Sequence, residues 1–357
     1  MTHFRFSIGR LEDNLASHSE PDQAHTLPMH TREWLLASAS AYTSLDRAFV
    51  VRVSDEHDNR LAAIAFYRCP SNRVCLLGGI DQGESVGLAV VSKPMLAEVA
   101  RYLVAMGEVL DLGHYPTSDG LLDELKHAAG GKGFVLSRRL PTRAMPCLEL
   151  DQSWSDPRSK FSKRRRKVAT RKIKKAGELG GVDLKVLSPT VDEVDELFAK
   201  AIEVESKSWK SRVGTALAQD SAQREFYRQY SRSVASLGDL RMCFLEVGGV
   251  AAATVIAVSW RNRFWALKTG YNEAYSAVSP GEMIFQRLIS YATSEEYETF
   301  EFCGKEAAWT KLWTTLAQDI ESLRFYPWNF NGIKLLLIDG LQLAYNRLKQ
   351  RLKRRAT

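Results

Sequence analysis

The stretch FWALKTGYNEAYSAVSPGEMIFQRLISYATSEEYETFEFCGKEAAWTKLW, Phe264 to Trp313, decides the fold of this chain. It opens on alternating residues, Trp265, Leu267 and Thr269 on one side against Phe264, Ala266 and Lys268 on the other, the period of a strand. A polar loop follows and ends in Ser279-Pro280-Gly281. Ile284, Arg287, Leu288 and Tyr291 then recur at helical spacing, and Thr299 to Phe302 supplies a second short strand. A strand–loop–helix–strand unit of this kind brings its loop to a helix N-terminus, where first-turn N–H groups point outward and favour an anion. The unit predicts a ligand site at the helix start.

Outward from it, the chain carries strands and helices interleaved in both halves, which predicts a mixed α/β fold. At 357 residues it has room for two domains. Its 45% apolar and 25% charged content is that of a globular protein. No run approaches the ~18 consecutive apolar residues of a membrane span, and the N-terminus lacks the apolar core of a signal peptide. The five cysteines are scattered and never form a CxxC pair. No disulfide framework, zinc site or other metal centre is therefore expected, and a cytoplasmic setting follows.

Charge is concentrated. Lys160 to Lys175 holds ten basic residues and no acid, and Arg347 to Arg355 holds six and no acid. Without those sixteen, 33 basic residues face 42 acidic ones, so the remainder is net −9. The basicity belongs to two local segments and is not a fold-wide nucleic-acid surface.

Residues 1–30 show no period and are expected to form a flexible leader. AFVVRVSD from Ala48 and RLAAIAFYRC after it predict a hairpin, and Arg73–Gly79 with Gly87–Val91 a second strand pair. A helix is expected over Lys93 to Leu112, another over Asp119 to His127, and strands at Phe134–Arg138 and Cys147–Leu150. Asp156-Pro157 predicts the start of a helix that carries the basic run. Thr190 and Glu193 form a T-x-x-E capping box before a further helix. Ala222–Leu237 is helical, and LRMCFLEV-GG-VAAATVIAV turns at Gly248-Gly249. The domains expected are a first lobe at 31–150, a basic connecting helix at 151–182, a second lobe at 183–327, and a basic amphipathic tail helix at 328–357.

Four patches, SKRRRKVATRKIKK, ESKSWKSRVGTAL, GYNEAYSAVSPGEMI and FEFCGKEAAWTKLW, occur in this order. Together they resemble the GNAT-like acyltransferases associated with bacterial cellulose and exopolysaccharide biosynthesis, relatives of the FemAB peptidyltransferases. The resemblance covers about residues 45–325 and is clearest from 150 on. It implies two tandem GNAT-like lobes, the first degenerate and shaping the acceptor side. It also implies transfer of an acyl group from acetyl-CoA or another acyl-CoA to an amine or hydroxyl, with a sugar or glycan precursor as acceptor. Two alternatives stay open: a FemAB-type transferase that takes an aminoacyl group from tRNA, and a non-catalytic partner of a polysaccharide synthase at the membrane surface. One departure concerns the donor. A GNAT pyrophosphate loop resembles Q/R-x-x-G-x-G/A, whereas Tyr275 to Glu282 holds one glycine, Gly281, and Pro280 has no N–H to donate.

On this reading Ser279, Pro280 and Gly281 bind the donor; the plainer reading is an N-cap with Pro at N1. Trp209, Lys210 and Arg212 are candidate substrate contacts, Arg offering a bidentate fork; the plainer reading is cations at a helix C-terminus. All seven histidines lie at or before His127, so a base in the second half must be something else. Glu306, in C-G-K-E after a strand end, is the first candidate, then Glu205 and Tyr271; Lys311 follows as a further substrate contact. The basic segments 160–175 and 347–355 suit an anionic partner, either tRNA or the inner membrane surface. Leu335, Leu336, Ile338, Leu341 and Leu343 precede the second one, as in an interfacial helix. Walker A, GxGxxG, HExxH and GxSxG motifs do not occur, so nucleotide hydrolysis, dinucleotide redox chemistry and zinc hydrolysis lack their signatures.

Overall fold

Strand-forming runs in each half of the chain assemble into two mixed sheets. The computed structural model describes residues 4–15, 27–90, 92–209, 212, 214 and 216–355. The first half contributes β1 (Arg5–Arg10), α1 (Leu11–Asn14), α2 (Arg32–Tyr42), β2 (Ala48–Ser54), β3 (Arg60–Cys69), β4 (Arg73–Leu76), α3 (Lys93–Ala105), β5 (Val109–Pro116), α4 (Leu121–Ala128) and β6 (Gly133–Arg139). The second contributes β7 (Cys147–Glu149), α5 (Lys163–Glu178), β8 (Val182–Leu187), α6 (Val194–Ser206), α7 (Ser221–Ala235), β9 (Leu240–Val247), β10 (Val250–Trp260), β11 (Arg263–Tyr271), α8 (Pro280–Ser294), β12 (Thr299–Glu301), β13 (Ile320–Pro327) and α9 (Phe330–Arg355).

The sheets run β1-β2-β3-β4-β5-β13-β6 and β7-β12-β11-β10-β9-β8. Each lobe has one strand, two helices, three antiparallel strands, a crossover helix and a strand that returns parallel: β4–α3–β5 in the first, β11–α8–β12 in the second. Two lobes of like topology in tandem are what the resemblance implies. The lobes exchange strands across the divide. β7, within the expected first lobe 31–150, pairs with β12, and β13, within the expected second lobe 183–327, inserts between β5 and β6. The first core joins the lobes: Trp34 of α2 meets Phe226 and Tyr230 of α7 edge-on at 4.8 and 4.9 Å. The second fills the space between the β7–β12 sheet and helices α5 and α8.

Other sequence expectations change for local reasons. Residues 5–10 are no part of a loose leader; they pair antiparallel with β2 as an edge strand. The helix at Lys93 stops at Ala105, because Gly107 turns left-handed (φ +66°) and Val109 begins a buried strand. The basic helix starts at Lys163, where the Ser162 hydroxyl accepts the Arg165 N–H; Asp156-Pro157 opens only a short 3-10 turn. Gly87–Val90 is not a strand, and Val91 lies outside the described residues.

The tail helix α9 is anchored by a buried charge cluster. Asp339 accepts both terminal nitrogens of Arg73 at 2.8 Å, Arg324 at 3.0 Å and the Tyr326 hydroxyl. Burial alone would raise its pKa, but the Arg73 and Tyr326 hydrogen bonds and the Arg324 charge outweigh that and hold it below the ordinary value. A depressed carboxyl pKa stabilises the fold above its unfolded value and loses that stabilisation as pH falls. Asp339→Asn is therefore expected to cost about 2 kcal/mol at neutral pH and less in acid. Denaturant midpoints at pH 7 and pH 3, with hydrogen exchange in α9, check this.

Candidate functional site

The geometry of the site follows from how β11 and β12 part. They pair in parallel over only three positions, Arg263↔Thr299, Phe264↔Phe300 and Trp265↔Glu301. β11 continues for six more residues with β10 as its ladder partner. After Glu301 the chain turns aside, and Phe302 N–H donates to the Pro146 carbonyl. The gap lies outside the carboxyl ends of two parallel strands, where ligands collect in such sheets. Within β11, Leu267 is an extra residue in the β10 register. A bulge of this kind re-aims the side chains beyond it. Thr269 and Tyr271 face α8, while Lys268 meets Glu205 of α6 and Gly270 packs against it.

A cavity of about 380 Å³ occupies the gap. Its walls are aromatic: Trp209 from the α6–α7 connection, Tyr271 from β11, Phe285 from α8, and Trp309 and Trp313 from the segment after β12. Ser208, Thr269, Ser276, Ser279 and Glu282 place polar groups among them. Apolar walls with a few convergent polar atoms are the usual make-up of a small-molecule site.

The start of α8 carries the donors. Ser279 adopts the left-handed conformation (φ +54°), uncommon for a residue with a side chain. It is the N-cap residue with Pro280 at N1, as the plainer reading has it, but its hydroxyl caps no helix amide. Its carbonyl accepts the Glu282 and Met283 amides. The Gly281 N–H, which makes no hydrogen bond among the described residues, is left at the cavity wall. Pro280, buried at the first helical position, shapes the turn and does not line the cavity.

Glu282 would repel an anion there, and the basic helix removes that obstacle. Arg165 Nε and Lys172 Nζ each lie 3.1 Å from a Glu282 oxygen. Arg165 also donates to the Leu312 carbonyl at 2.6 Å and stacks on Phe161 and Trp313, with its guanidinium carbon 3.6 and 4.6 Å from the ring centres. Its Nη2 is buried without a hydrogen-bond partner. The Gly281 amide and the Ser279 hydroxyl are two donors at one end of an apolar cavity, and Arg165 lies behind that end against Glu282, Leu312 and Trp313. Such a set fits a ligand with an anionic end and an apolar arm.

The other candidates divide. Trp209 lines the cavity; Lys210 lies outside the described residues. Arg212 forms a bidentate, exposed ion pair with Glu273 at the loop after β11. Glu205 is fully buried on the far side of β11, 3.3 Å from Lys268 Nζ, and accepts the Leu217 N–H at 2.9 Å. Glu306 sits outside the cavity lining, 3.1 Å from Lys311 and 3.6 Å from Arg143. That pairing places Lys311 beside Glu306 and away from the cavity. Of the three candidate catalytic groups, Tyr271 alone lines the cavity.

One carboxyl gave no sequence signal. Glu84, on the first-lobe loop before α3, is fully buried and accepts the Gly304 N–H at 2.7 Å just beyond β12. Burial pushes its pKa up to about 7, against the lowering effect of that hydrogen bond. A carboxyl raised in this way favours the fold most while protonated, and that advantage is lost as pH climbs from the ordinary carboxyl range to about 7. Glu84→Gln is expected to remove that pH dependence and to raise stability at pH 8 by about 2 kcal/mol. Thermal midpoints of both proteins from pH 5 to 8 check it.

Residues 163–311 match the family model described as an acetyltransferase (GNAT) domain. The match begins at the first residue of α5 and ends within the segment after β12, so it spans nearly the whole cavity lining. Among solved structures the chain is similar to FemX, with 11% identity, a TM-score of 0.56, and 90% of this chain and 96% of that one covered. It is also similar to a conserved protein of unknown function from Bacteroides thetaiotaomicron VPI-5482, with 10% identity, a TM-score of 0.52, and coverage of 82% and 88%. At these identities the likeness is one of fold. No curated protein matches the chain.

Proposed function

We propose that this chain, a GNAT-type acyltransferase, takes an acyl group from a coenzyme A thioester and passes it to an amine or hydroxyl on a small or glycan-like acceptor. The observation that carries the reading is the cavity where β11 and β12 part, with the Gly281 amide and the Ser279 hydroxyl at one end and aromatic walls beyond. Phosphates at the α8 N-terminus would meet those donors. The thioester arm would lie along the open edge of β11, whose backbone groups lack a second ladder partner past Trp265. The single glycine of Tyr275–Glu282 gives fewer amides than a glycine-rich loop, and Arg165 and Lys172 offset the Glu282 charge beside it.

Catalysis on this account comes mainly from holding donor and acceptor together. The acceptor nitrogen or oxygen forms a bond to the acyl carbon, the carbon–sulfur bond breaks, and the acceptor's proton is lost to water or base. Tyr271, whose ring lies against Gly281, would give its hydroxyl proton to the departing sulfur. Glu205 and Glu306 serve as buttresses, one beneath β11 and one beside Lys311.

Titration calorimetry with acetyl-CoA tests the donor. Wild-type protein is expected to bind saturably, and Ser276→Trp, which fills the cavity from an exposed turn, is expected to abolish binding. Equal binding by both proteins would move the donor elsewhere. A second reading, an aminoacyl-tRNA donor, draws support from α5: apart from Arg165 and Lys172, its seven cations are exposed and have no carboxylate partner among the described residues. Binding that requires a charged tRNA, with none to acetyl-CoA, would favour it.

A further inference from the structure

The tail helix α9 has two apolar faces, and the fold uses one. Leu335, Leu336 and Asp339 face the first sheet, where Leu335 joins Val109 and Tyr326 in a small core. Leu335 and Leu336 therefore belong to the docked face, whereas Ile338 and Leu341 are exposed. On the opposite side Phe330, Leu337, Leu341 and Tyr345 are 86, 63, 73 and 60% exposed. They recur at intervals of seven, four and four residues, so they form one stripe. Over fifteen residues at 1.5 Å each the stripe is about 22 Å long. Trp328, two residues before the helix, and Phe134 of β6, opposite Tyr326, are also more than 40% exposed. A helix that is apolar on both sides has its outer face covered by something.

Charge says what covers it. Asp339 is the only acid between Phe330 and Arg355, and it is consumed on the docked face by Arg73 and Arg324. The same span holds seven basic residues, six of them from Arg347 onward. The outer stripe thus offers apolar and aromatic side chains, and the helix sequence beyond it runs into positive charge with no further acid. No helix among the described residues is long and apolar enough to cross a membrane. We propose that α9 lies in the plane of an anionic lipid bilayer, its Phe330–Tyr345 stripe among the acyl chains and its cationic end on the headgroups. This partner is independent of the acyl-transfer reading, because α9 rests on the first sheet and the cavity opens in the second.

Sedimentation of the full chain with vesicles tests it, using phosphatidylcholine alone and phosphatidylcholine with phosphatidylglycerol. The protein is expected to bind the anionic vesicles at least tenfold more tightly, less so at high salt. The double variant Leu337→Glu, Leu341→Glu is expected to lose that binding more than tenfold with an unchanged thermal midpoint, since both residues are on the undocked face. Vesicle binding that survives the double variant overturns the proposal and points to α5. Absence of binding to either vesicle also overturns it. So does a lipid-free dimer in sedimentation velocity that the double variant abolishes, because a second copy would then cover the stripe.

Discussion

Lys268→Met is expected to destabilise the protein by about 4 kcal/mol, because it strips a fully buried carboxylate of the cation beside it. Lys268 Nζ lies 3.3 Å from Glu205 and also donates to Gln223 of α7. The pair therefore ties β11 to both helices behind it. Gly270 marks how close that packing is: a Cβ there would come within 2.7 Å of the Glu205 side chain. A buried ion pair is weak evidence of net stability, since an apolar pair of similar volume often does as well. The double variant Lys268→Met, Glu205→Leu should therefore recover most of the loss. Denaturant unfolding of the two single variants and the double variant measures the coupling. A Lys268→Met protein as stable as wild type would contradict a structural role for Glu205 and reopen it as a base.

Tyr271→Phe is expected to lower kcat by roughly 10²-fold with KM little changed, the usual scale for a lost proton donor. The ring stays in place against Gly281, so the cavity keeps its shape. A slower chemical step without weaker binding is the signature of an interaction made only in the transition state. Glu306→Gln should have a much smaller effect, because its carboxylate is occupied with Lys311 and Arg143 outside the lining. Steady-state kinetics on the three proteins decides between them. An unchanged kcat in Tyr271→Phe alongside a collapse in Glu306→Gln would reverse the assignment.

What was legible in the sequence was local. The hairpin at Gly248-Gly249, the β11 alternation and the α8 start depend on neighbours within a few residues, and each was found where expected. At Thr190 and Glu193 the Glu193 carboxylate accepts both the Thr190 N–H and its hydroxyl at 2.8 Å. What was hidden depended on pairing across the chain. Nothing near Ile320–Pro327 signals that this strand belongs to the first sheet, because its partners lie nearly 200 residues earlier. Separations of 117 and 110 residues likewise hid the Arg165 and Lys172 contacts with Glu282, so the basic run read as a surface in search of a partner. Part of it is paired with Glu282, which lines the cavity. Glu84 was invisible for a related reason: its burial is created by the second lobe, and no spacing announces it.

A crystal structure determined with a non-hydrolysable acyl-CoA analogue tests the central claim most directly. The account predicts the acyl arm beside Thr269 and Tyr271 where β11 and β12 separate. It also predicts a phosphate oxygen within hydrogen-bond distance of the Gly281 N–H and the Ser279 hydroxyl. Analogue bound elsewhere, with the aromatic cavity empty at saturating concentration, would contradict it.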